Sequence, residues 1–121
     1  MVKGCKAMKS QYLAKTLKSL SDPTRLRIFN MLMGGMHCNC EISEQLDLSL
    51  SLVSHHLRIL REVGLVQGQR DPNDARWIHY SVNQNALAEL SQALGHLLDA
   101  NRIRLRVPQC RSTELQPIPR T

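Results

Sequence analysis

The chain has 121 residues, of which 42% are hydrophobic and only 3% aromatic, with 16 Lys and Arg against 10 Asp and Glu for a formal net charge of +6. That length suits one domain with one core, filled mainly by Leu, Ile, Val, Met and Ala as in packed helices, and the basic excess is the electrostatic footprint of a polyanion partner. The composition and motifs exclude a membrane span, a signal peptide, a phosphate-cradling glycine loop and a nucleophile with its base and orienter, so we expect a cytoplasmic protein that is not an enzyme.

Residues 1–11 are basic and lack apolar periodicity, the mark of an arm. A helical pattern follows through Tyr12, Leu13, Leu17 and Leu20, until Ser21-Asp22-Pro23 punctuates it. Proline is tolerated in a first helical turn because its missing N–H would have no intrahelical partner. Leu26, Ile28, Phe29, Met31, Leu32 and Met33 predict a buried second helix, stopped by Gly34-Gly35. The stretch "MHCNCEIS", residues 36–43, then places two of the four cysteines one residue apart, ahead of a short helix marked by Ile42, Leu46 and Leu48.

The segment "LSLSLVSHHLRILREVGLV", residues 48–66, carries most information. Ser49 or Ser51 can cap a helix, Val53, Leu57 and Leu60 recur at i, i+4 and i+7, and Gly64-Leu65 supplies the stop. The opposite face holds Ser51, Ser54, His55 and Arg58, hydrogen-bonding and cationic groups fit for a major groove. After Val66 the period changes to alternation: "VQGQRDPNDARWIHYSV", residues 66–82, reads as a β-hairpin turning at 71–74, with Ile78, Tyr80 and Val82 on one face and Arg70 and Arg76 near its tip for the phosphate backbone. From Asn83 a long helix is predicted through Leu87, Leu90, Leu94, Leu97 and Leu98 and on to Ile103 and Leu105, with more leucine than one small domain covers. Residues 107–121, with Pro108, Pro117 and Pro119, read as a flexible tail.

The expected architecture is mostly α with a β-hairpin wing: a winged helix-turn-helix over residues 12–106, dimeric through its first and last helices. Such a homodimer would set two recognition helices on palindromic double-stranded operator DNA, with no membrane partner.

Together, "SDPTRLRIFNML", the cysteine pair, "VSHHLRILREVGLV" and "RWIHYSV" resemble the ArsR/SmtB family of metal-sensing repressors, over roughly residues 12–100. The resemblance implies a homodimer that occupies its operator until a thiophilic ion binds. It maps the recognition residues onto Ser54, His55, His56 and Arg58, and the core of a soft-metal site onto Cys38 and Cys40. Thiolates select arsenite, Cd(II), Pb(II), Hg(II) or Zn(II), and no organic cofactor is implied. Ser43 stands where some arsenite-sensing members carry a third cysteine. The third ligand is then expected from Cys5 in the arm, next from Cys110 in the tail, and last from His37.

A second family site on the last helix maps onto Asn83, Asn85, His96 and Asp99; two amides make poor zinc ligands, so that site is expected to be absent. Another reading is a thiol-based redox or persulfide sensor of the same fold. A Cys38–Cys40 bond would be strained, which assigns Cys5 or Cys110 as the oxidative partner. A helical interaction module with no DNA role is the third class.

Overall fold

The computed structural model describes residues 10–110 and 116–120. Helix α1, Ser10–Ser19, lays Leu13 and Leu17 against the core and is tied down at its start, where the Tyr12 hydroxyl donates to the Val63 carbonyl at 2.7 Å. Helix α2, Pro23–Met33, starts as its sequence requires: Asp22 is the N-cap, its carboxylate accepting from the Arg25 N–H, with proline in the first turn. Helix α3, Asn39–Leu46, and helix α4, Leu50–Glu62, form the helix-turn-helix.

Between these two helices Asp47 adopts φ 55°, a left-handed conformation that Asp tolerates better than most residues. The turn is locked by Ser43, whose carbonyl accepts from the Leu48 N–H at 3.0 Å while its hydroxyl donates to the Leu48 carbonyl. Ser49 caps α4, accepting from the Leu52 N–H at 3.1 Å. At the far end Gly64 at φ +83° lets the Leu65 N–H reach the Leu60 carbonyl, a Schellman closure that glycine accommodates without strain.

Val53, Leu57 and Leu60 of α4 are fully buried against Ile28 and Leu32 of α2, Ile42 of α3, and Leu65, Val66, Tyr80 and Leu90. Strands β2, Val66–Arg70, and β3, Ile78–Val82, form the hairpin in antiparallel register, Gly68 opposite Tyr80. A further short strand, β1, His37–Cys38, pairs with the other edge of β3, so the wing is a three-stranded sheet in the order β1-β3-β2.

Helix α5 runs from Gln84 to Leu97, capped by Asn83, which accepts from the Asn85 and Ala86 N–H groups. The single long helix expected through Leu105 is therefore corrected. After Leu97 the chain makes a 3-10 turn, Ala100–Arg102, capped by Asp99, and the Arg102 guanidinium folds back to donate to the His96 and Leu97 carbonyls at 2.9 and 3.1 Å. The helix end is thus held by the Leu98 and Asp99 N–H groups on the His96 carbonyl and by a cation over the last carbonyls, and Ile103 and Leu105 lie beyond it. Among the described residues no helix is long and apolar enough to cross a membrane.

Candidate thiol site and nucleic-acid interface

Cys38 belongs to two elements at once, as the last residue of β1 and the N-cap of α3. Its backbone is extended at φ −77° and ψ 151°, and its N–H donates to the Glu41 carboxylate at 2.8 Å, completing a capping box. An N-cap side chain folds over the first turn, and the Cys38 sulfur accepts from the Cys40 N–H at 3.3 Å. The same fold-back carries it to the Cys40 sulfur: the two meet as a disulfide, with Cα atoms 5.3 Å apart. This differs from the expectation that only Cys5 or Cys110 would partner an oxidised thiol, because spacing alone does not reveal that the N-cap turn aims both side chains to one side. When reduced, that backbone presents two thiols side by side, a soft donor pair suited to a thiophilic ion.

Candidates for a third ligand lie elsewhere. Cys5 is outside the described residues, Cys110 is exposed and free, and the His37 Nδ1 is 2.8 Å from the Gly35 carbonyl. Among the described residues no three His, Cys, Asp or Glu side chains converge on one point. Of the residues matched to a second site, Asn83 and Asp99 serve as caps of α5 and of the 3-10 turn. Ser43 is committed to the helix-turn-helix turn.

The outer face of α4 is assembled as its periodicity implies. Ser51, Ser54, His55 and Arg58 are exposed and line one shallow concavity against Ile78 and Tyr80 of the sheet. Arg61 lines it too and escaped the sequence reading, although it stands three residues after Arg58, on the same helical face. The Arg58 guanidinium lies 3.4 Å from the His55 Nδ1.

Both wing arginines are engaged within the wing: Arg70 donates to the Ala75 carbonyl, and Arg76 grips Asp74 through Nε at 3.0 Å and Nη2 at 2.8 Å while its guanidinium lies 5.5 Å from the Trp77 ring centre. The Asp74 carboxylate is held below its ordinary range chiefly by that bond. His79 also staples the wing, its Nε2 being 2.8 Å from the Asp71 carboxylate.

His56 requires a correction. Consecutive helical residues point about 100° apart, which turns His56 away from His55 onto the Val53–Leu60 stripe, where it is only 8% exposed. It cannot read DNA from there. Its Nδ1 sits 3.2 Å from the Arg25 guanidinium, which also donates to the Ser19 carbonyl at 2.6 Å, so the neutral ring accepts where a protonated one would face a cation. Burial and then Arg25 push the imidazole below its ordinary value of 6.5, against the opposing pull of Asp22.

The unfolded chain therefore takes up this proton at higher pH than the folded one, and stability is lost as pH falls below about 6.5. Thermal unfolding from neutral pH down to about 5 should show a falling melting temperature, and His56→Asn, which keeps an acceptor for Arg25, should flatten that slope. An unchanged slope would remove His56 as its source.

The pattern described as "Bacterial regulatory protein, arsR family" matches residues 22–67. The chain is 38% identical over 85 residues to the HTH-type transcriptional regulator NmtR of Mycobacterium tuberculosis, covering 69% of this chain and 68% of that one. It is 33% identical over 95 residues to an arsenical resistance operon repressor of Staphylococcus aureus, covering 78% and 88%. Its fold matches reduced HlyU from Vibrio cholerae with a TM-score of 0.58 at 30% identity, over 75% of this chain and 92% of that one. With these relatives and a winged helix-turn-helix that presents Ser51, Ser54, His55 and Arg58 on its outer face, the chain belongs to the ArsR/SmtB family of transcriptional regulators.

Proposed function

We propose that this protein is an operator-binding repressor that releases DNA when a thiophilic metal or metalloid ion, arsenite or Cd(II) and Pb(II) foremost, binds Cys38 and Cys40. The observation that carries the reading is the N-cap turn, which aims two sulfurs to one side at the start of the helix supporting α4. The arsenical resistance operon repressor among its relatives supports the same class of inducer. A third ligand then comes from Cys5 first, or from Cys110, in the same protomer or across a dimer.

The homodimer belongs to this reading. Leu97 and Leu98, 50% and 73% exposed, leave an uncovered apolar strip at the end of α5. A two-fold pairing there, with α1, would space two copies of α4 on palindromic DNA.

In the operator complex Ser51, Ser54, His55 and Arg58 face bases and phosphates, with Arg61, Arg70 and Arg76 at the edges. Arg58→Ala should weaken operator binding roughly tenfold and lower the salt slope by about one, with ion affinity unchanged. Equal affinity at physiological salt would place Arg58 outside the interface.

The disulfide contact favours one second reading, in which Cys38 and Cys40 are a redox or persulfide pair. Titrating an operator complex with arsenite, Cd(II), Pb(II) and Zn(II), and in parallel with peroxide and persulfide, separates the two. Release by an ion under reducing conditions supports the metal reading. Release only by oxidant or persulfide, with the corresponding mass change on the cysteine peptide, replaces it.

A further inference from the structure

Asn39, the residue between the two cysteines, is 7% exposed, and its side chain does not belong to the turn alone. Its Oδ1 accepts from the Cys40 N–H at 3.1 Å and from the Ile78 N–H at 3.2 Å, and lies 3.3 Å from the Cys38 sulfur, which donates to it when it carries a hydrogen. Two of these partners are backbone N–H groups, which only an acceptor can satisfy, so the oxygen's identity is set by its surroundings.

The place of that oxygen in the sheet gives it a task. Backbone pairing between β1 and β3 stops at Cys38 opposite His79, where the chain turns into α3. The Asn39 carboxamide reaches Ile78, the next residue along β3, and supplies the missing rung in place of a backbone carbonyl. Ile78 begins the wing strand whose Tyr80 packs under α4, and the neighbouring Trp77 is the chain's single tryptophan.

We propose that Asn39 is the positioning residue through which an ion on Cys38 and Cys40 moves the wing. The inference rests on the function proposed above. When two thiols ligate an ion, two sulfur–metal bonds form and two protons leave to solvent, with no change of oxidation state. Ligation fixes both sulfurs on the ion and turns the backbone between them, so the Cys40 N–H that Oδ1 accepts is displaced. One of the two backbone N–H groups that place the carboxamide oxygen has moved, and the other belongs to the wing. The Ile78 rung loosens, and the β3 edge shifts against the recognition helix.

The test compares wild type, Asn39→Val, which removes the carboxamide, and Asn39→Asp, which keeps an acceptor oxygen. Without any ion, the Ile78 amide should exchange with solvent faster in Asn39→Val than in wild type, with Asn39→Asp restoring protection. With Cd(II), all three should show thiolate–cadmium absorption. Asn39→Val should already bind operator about tenfold more weakly without the ion, and Cd(II) should lower affinity about tenfold in wild type and Asn39→Asp but little further in Asn39→Val. In wild type Cd(II) should also change Trp77 fluorescence as the sulfurs saturate, a readout that needs no variant.

Asn39→Val that holds operator like the wild type without the ion and is released by Cd(II) to the same extent, an Ile78 amide indifferent to the substitution, or a silent Trp77 at cadmium saturation would each overturn the proposal. Wild type that loads Cd(II) yet holds its operator would instead overturn the proposed function, and this inference with it.

Discussion

A Cys38→Ser, Cys40→Ser double variant should bind operator DNA as tightly as the wild type and remain bound when arsenite or Cd(II) is added. Serine is itself a preferred N-cap, so the Cys38→Ser change preserves the capping box with Glu41 and the start of α3. On the proposed function, removing the soft donors abolishes only the ion's preference for the DNA-incompetent state, an allosteric coupling of about 1 to 3 kcal/mol. Operator retention measured by fluorescence anisotropy across an ion titration checks this. Release at the ion concentration that frees the wild type would move the sensing site away from these cysteines.

Leu57→Ala should be the most damaging single truncation on the recognition helix. Leu57 is fully buried in the centre of the cluster that joins α2, α3 and α4, and shortening it leaves a cavity that rigid neighbours on three elements cannot close. A cost of about 3 kcal/mol is expected, lowering the melting temperature by about 10 °C. Leu52→Ala on the same helix, where the side chain is 41% exposed, should change stability by less than about 0.5 kcal/mol. Thermal unfolding of both variants checks the contrast, and equal losses would mean that α4 is not anchored through Leu57.

Much of this architecture is written locally. The stripe Val53-Leu57-Leu60, the Ser49 cap, the Gly64 stop and the Asn83 cap each involve residues within a few positions of one another and occur where the pattern places them, whereas the wing's loop is longer than the expected 71–74 turn, running over 71–77 with the Trp77 N–H donating to the Asp74 carbonyl. The outer face of α4 follows from the same arithmetic, because burying one stripe exposes the opposite one. His56 shows where motif matching and helical geometry part: the family pattern groups it with His55, whereas a rotation of about 100° sends it into the core.

The features that escaped the sequence join residues far apart. β1 pairs with β3 across some forty residues, and Asn39 meets Ile78 at a separation of 39. Arg25 meets His56 at a separation of 31. The end of α5 is hidden although it is local: the leucine pattern continues, while the chain turns into an Asp99-capped 3-10 turn whose Arg102 lies over the last carbonyls.

Periodicity and caps specify helices, a wing and a DNA-facing surface, because they are satisfied within one or two turns of chain. Which elements touch is settled by topology and packing, and there the cysteine turn acquires its connection to the wing. Cys38 and Cys40 are legible as a pair from their spacing, whereas the oxygen that ties them to Ile78 exists only once β1 has found the edge of β3.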